Sequence, residues 1–187
     1  MGKASLKIVA NRAEKLLKKW LQSPESRRLV RETKQYREWL KEEWRKKEKK
    51  ILKELKRIIR IPLPEKEISI YITHPKLKNG LTISPKIIVW GHKEEWPNYS
   101  VVYLCHEILH TMFWGDNSKI THAIIELATD QELRIRLNNS GKYFEFSTHK
   151  NLVNLEKKIF PDWKKYLRDK NLNITQFIQL QKIKGAQ

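Results

Sequence analysis

His106, Glu107 and His110, in the string HEILH, are the residues whose types and spacing could do chemistry. Two histidines four apart share one helix face, close enough for both imidazoles to hold one metal ion. Glu107 sits about 100° further round the helix, at the edge of that site. There it can take a proton from a water on the metal, the role of a general base. Val101, Val102, Leu104, Ile108, Leu109, Met112 and Phe113 make the segment apolar round most of its circumference. The pattern predicts a buried helix with Asn98 or Ser100 as N-cap. Imidazoles and a carboxylate inside such a helix need partners, and a metal with its water supplies them.

Two histidines bind zinc weakly; a catalytic centre needs a third protein ligand and one open position. The next helix is expected after the turn Trp114–Ser118 and runs to about Asn139, and it offers two candidates. Glu126 and Asp130, in ELATD, form an i, i+4 pair on one face. The Glu can ligate while the Asp accepts a hydrogen bond from the far nitrogen of a ligating histidine. His122 lies one turn before Glu126 on the same face, and strict antiparallel pairing would bring it level with His110 more easily. Spacing alone leaves both open. Cys105 points away from the metal face and is expected in the core.

HEILH followed by ELATD resembles the gluzincin metallopeptidases, which join HExxH on one helix to ExxxD on the next. ELATD is similar to the ExxAD of the membrane-bound CAAX prenyl peptidases, departing from it at Thr129, where that group has Ala. The likeness extends to the minigluzincins, small proteins holding little beyond the catalytic core, and covers roughly residues 65–140. It implies a zinc-dependent metalloendopeptidase acting on a peptide or protein substrate. His106, His110 and Glu126 would bind zinc, Glu107 would serve as general base and acid, and Asp130 would orient His106. The family also supplies a Tyr or His for the oxyanion; Tyr143, His149, Tyr103 and Arg134 all stay open here. With His122 as third ligand the chain would instead resemble the SprT-like DNA-associated proteases. The Gly before their third His and the aromatic after it are missing around Thr121-His122-Ala123.

The net charge of +18 is uneven: residues 1–60 hold 21 Lys and Arg against 8 Asp and Glu. That excess could draw nucleic acid or an anionic membrane surface to residues 1–60, leaving the metal site structural or vestigial, or it is a solvated face with thermophile-like charge density. One cysteine excludes an intrachain disulfide framework and fits a reducing compartment. No apolar run approaches the ~20 residues of a membrane span, and no signal peptide is visible, so a soluble, cytoplasmic protein is expected.

Around the site the expected architecture is α+β and mostly α. Residues 1–60 read as a basic helical arm or hairpin, with stripes over 4–21 and 25–60 broken at Gln22-Ser23-Pro24. Ile61-Pro62-Leu63-Pro64 reads as a linker into a metallopeptidase-like domain over 61–187. Its zincin-like core, 65–140, is expected to hold strands near 68–73 and 86–90, a turn at Asn79-Gly80, and the HExxH and ExxxD helices. The strand before the HExxH helix could form the rim of a cleft and pair with a substrate chain. Residues 142–187 should be shorter helices broken near Pro161 and Asn171–Asn173. Flanks before 60 and after 142 could cover a small cleft and hold the enzyme latent.

Overall fold

The computed structural model describes residues 14–63, 67–146 and 149–185 of the chain. The fold is α+β and mostly helical, as expected, with one small sheet. Its longest element is α1, Pro24–Ile59. Ser23 caps it, its side chain accepting from Ser26 N, and Pro24 fills the first turn, where a missing N–H costs nothing.

The stripe on α1 has two destinations. Ile51, Leu55, Ile58 and Ile59 are fully buried in the main core, beside Leu109, Ile124 and Trp163. Further back, Tyr36 Oη receives a hydrogen bond from Trp90 Nε1 at 2.8 Å and lies 3.2 Å from Ser100 Oγ. Arm and domain therefore share one core. Arg60, in the left-handed region at φ 57°, ends α1. Its guanidinium donates to the carbonyls of Tyr166, Leu167, Asp169 and Leu172 and lies over the Tyr166 ring. Residues 14–21 are helical, but Leu16, Leu17, Trp20 and Leu21 are 46–61% exposed. Over these residues no hairpin buries the stripe; the rest of that expected helix lies outside the described residues.

The sheet has the order β1-β3-β2, with β1 at Ser69–Ile72, β2 at Asn79–Ser84 and β3 at Ile87–Gly91. β1 runs parallel to β3, and β2 antiparallel. The expected turn at Asn79-Gly80 is the start of β2; the reversal falls at Pro85-Lys86 instead. Gly80 is needed there because a Cβ would stand 2.8 Å from the Trp90 ring. The rim expected of the strand before the HExxH helix is likewise corrected. That strand, β3, is central, and β1 and β2 are the edge strands.

Helix α2, Tyr99–Met112, carries HEILH, and eleven of its residues are buried. Asn98 holds the N-cap position, but the Glu94 carboxylate does the capping, accepting from Ser100 N at 2.8 Å. A turn through Gly115, φ 90°, leads to α3, Lys119–Glu126, capped by Ser118. Without a break the chain becomes π-helical over Leu127–Leu133 and then forms α4, Arg134–Asn138. Two more helices, α5 at Val153–Arg168 and α6 at Ile174–Gly185, close the core. Pro161 lies inside α5, contrary to the expected break. Burial of Ile159, Trp163 and Tyr166 on one face offsets the lost hydrogen bond. Among the described residues no helix is long and apolar enough to cross a membrane.

Candidate metal centre

Helix α2 brings His106 and His110 to one face, and their Nε2 atoms stand 3.1 Å apart. Two nitrogens on a tetrahedral zinc, each about 2.0–2.1 Å from it, would lie roughly 3.3 Å apart. From α3, His122 comes edge-on to both, with ring centroids 4.8 Å from His110 and 5.4 Å from His106. The ligand atoms of these three histidines all lie within 4.8 Å of one another. A second group with the same property joins His122, Glu126 and His149. His122 is common to both. The tightest set around His106 and His110 therefore takes its third donor from His122, with Glu126 one turn further along.

The donor atoms of the second group face one another. His122 Nε2, Glu126 Oε1 and His149 Nδ1 are buried without a hydrogen-bond partner among the described residues. His149 Nδ1 stands 2.5 Å and His122 Nε2 3.5 Å from Glu126 Oε1, ion pairs when the imidazoles are protonated. A carboxylate that is 1% exposed needs a cation; His149 at 2.5 Å and His122 at 3.5 Å face it, and a metal ion between these groups would meet the same need. Nitrogen and oxygen donors at these separations suit zinc. The residues present fit a metal ion.

Asp130 pairs with His106. His106 Nδ1–H donates to Asp130 Oδ1 at 3.1 Å, turning Nε2 and its lone pair toward the cluster. Thr129, the departure from ExxAD, serves the same nitrogen. Its Oγ1 is 3.0 Å from Asp130 Oδ1, 3.5 Å from His106 Nδ1 and 2.8 Å from the Ile125 carbonyl. Both residues sit in the π-helical stretch, a winding that recurs at functional sites. Arg134 Nε donates to the Asp130 carbonyl at 2.7 Å, and Nη2 ties down the Lys142 carbonyl at 2.7 Å.

Glu107 is 8% exposed and faces β2. Thr82 Oγ1 is 2.7 Å from Glu107 Oε2 and 3.0 Å from its carbonyl, so one hydroxyl fixes the carboxylate and the turn that carries it. A cleft of about 290 Å³ opens over these groups between β2 and the α2–α3 turn. Gly80, Leu81 and Thr82 line one side, Phe113 to Asn117 the other. None of residues 14–63 lines it, and of the described residues beyond 142 only His149 does.

Burial lowers the His106 pKa, but the charge and hydrogen bond of Asp130, with Glu107 and Glu126 behind, raise it to about 9. Burial, then the charge of the neighbouring imidazoles, lowers His110 to about 3. The same two causes lower His122 to about 4, against the pull of Glu126. His110 and His122 therefore offer neutral lone pairs at neutral pH, the form a metal ligand requires. The Glu126 carboxylate raises His149 against the effect of burial. Glu156 on α5 is 1% exposed, and burial, followed by its hydrogen bond with Glu126 and then that carboxylate's charge, raises its pKa to about 9.

Of the residues left open for an oxyanion, His149 alone lines the cleft. Tyr143 donates to Glu132 and accepts from Trp163, Arg134 is a buried brace, and Tyr103 faces a different hollow with Trp96 and Tyr99. Cys105 is fully buried, as expected. Sequence reasoning missed Thr82 and Glu156. The second had a signal: Leu152, Glu156, Ile159, Trp163 and Tyr166 form one stripe, and a lone carboxyl interrupts it. Comparison with protein-family models, with curated proteins and with solved structures finds no match for this chain.

Proposed function

We propose that the protein is a zinc-dependent peptidase whose metal is held by His106, His110 and His122. One observation carries the reading: three histidine donor nitrogens converge beside a buried carboxylate, Glu107, on the floor of a cleft. Zinc bound there would lower the pKa of a water and polarise a substrate carbonyl. Glu107, held through Oε2 by Thr82, accepts the proton and passes it to the leaving amine. His149, at the cleft wall, donates toward the developing oxyanion. Asp130 keeps the His106 ring in the ligating tautomer. A peptide would lie along β2, whose outer edge has no strand partner and whose Leu81 and Ile83 are 59% and 51% exposed.

A second reading has Glu126 as third ligand, the gluzincin arrangement. The hydrogen bond from His106 to Asp130 and the buried Glu126 oxygen, which faces His122 and His149, favour it. Chelator competition separates the two. With His122 as ligand, His122→Ala weakens zinc by more than about a hundredfold, while Glu126→Ala, beyond the ligand shell, costs about 10–100-fold. The reverse order establishes the second reading. Glu107→Gln should keep zinc and lose peptide cleavage by about 10²–10⁴. Unchanged cleavage in that variant would refute the peptidase assignment itself. If His122 is the ligand and duplex DNA stimulates cleavage, the SprT-like alternative gains.

A further inference from the structure

We propose that the helical stretch 14–21 docks the protein on an anionic membrane surface. Leu16, Leu17, Trp20 and Leu21 are 61%, 55%, 46% and 51% exposed, four large apolar side chains on two turns of helix. At 100° per residue they occupy one arc of about 140°. Lys15 lies opposite that arc, and Lys18 and Lys19 border its two edges. Segregation of this kind, Leu and Trp on one face and Lys on the other, is what lets a helix lie in the headgroup plane with its apolar side down. The sequence carries the same period upstream through Leu6, Val9, Ala10 and Ala13.

Charge points to the same occupant. Residues 14–34 hold seven Lys and Arg against three Glu, and Arg27, Arg28, Arg31 and Lys34 at the start of α1 are exposed. Basic side chains near an anionic leaflet are drawn to its surface charge. Nucleic acid would use the same charges but has no contact for four apolar side chains on a neighbouring helix. A second copy of the chain would need about 800 Å² per partner, and two turns of helix, about 12 Å long, fall far short of that. A lipid surface has no such minimum, because apolar insertion and charge add. No described helix spans a bilayer, so the attachment is peripheral.

The test is co-sedimentation of the full chain with vesicles of phosphatidylcholine alone or mixed with phosphatidylserine. Binding to the mixed vesicles only, weakened by salt, is expected. Leu17→Gln with Leu21→Gln should reduce it at least tenfold, roughly the loss of two partly inserted side chains. Lys15, Lys18 and Lys19 changed together to Gln should also reduce it. All five positions are exposed, so each variant should keep the wild-type circular dichroism and zinc affinity. The proposal is overturned if mixed vesicles bind no protein, if pure phosphatidylcholine binds equally, or if the Leu variant binds as wild type. It is also overturned if the wild type self-associates or binds duplex DNA without binding vesicles.

Discussion

At the scale of single residues, the centre depends on side chains that touch no metal. Asp130→Asn keeps the shape but allows the wrong tautomer of His106, and zinc affinity should fall about 10–100-fold by chelator competition. Thr82→Val removes the hydroxyl that fixes Glu107 and should lower kcat by about tenfold with zinc content unchanged, because one charge-assisted hydrogen bond is lost. The titrations of the metal-free protein carry opposite signs. His106, raised to about 9, adds stability that is complete below 6.5 and lost as pH rises through 9. His110 and His122, lowered to about 3 and 4, add stability that is complete above 6.5 and lost as pH falls toward those values. Thermal midpoints of the chelated protein should therefore peak near pH 6.5. At pH 7 zinc must displace the His106 proton, so calorimetry in buffers of different ionisation heat should show proton release.

At the scale of elements, what was legible in the sequence followed from periodicity. HEILH read as a buried helix because apolar residues surround it, and the relation of Asp130 to His106 followed from the family pattern. The strand β2 was not legible. Its apolar residues, Leu81 and Ile83, alternate over only six positions, and Asn79-Gly80 carries the chemistry of a turn. Tertiary context decided it, since β3 needed a second neighbour and Gly80 could pass beneath Trp90. The choice between His122 and Glu126 was equally beyond spacing, because it depends on how the α2–α3 turn sets two helices against each other. Pro161 misled for the opposite reason: a local rule yielded to three buried side chains on α5. It is itself exposed, so Pro161→Ala should restore a backbone hydrogen bond without a cavity and raise stability by about 1–3 kcal/mol in denaturant titration.

At the scale of the whole molecule, the proposed metal site links metal binding to folding. Zinc held as proposed would take ligands from α2 and α3, which an unfolded chain does not hold together, so saturating zinc should raise the thermal midpoint and a chelator should reverse it. At a hundredfold excess over Kd the gain is about 2.7 kcal/mol. Arg60 joins parts of the chain that are far apart in sequence. Its guanidinium plugs the carbonyl end of α5 from the last turn of α1, as four separate backbone groups converge on one side chain. The long basic helix is therefore not a detachable handle. A fragment trimmed to residues 61–187 would lose Ile51, Leu55, Ile58 and Ile59 from its interior and leave the end of α5 frayed. A minimal folded fragment cut from this chain must keep the second half of α1, and the shortest piece that still folds should begin before Ile51.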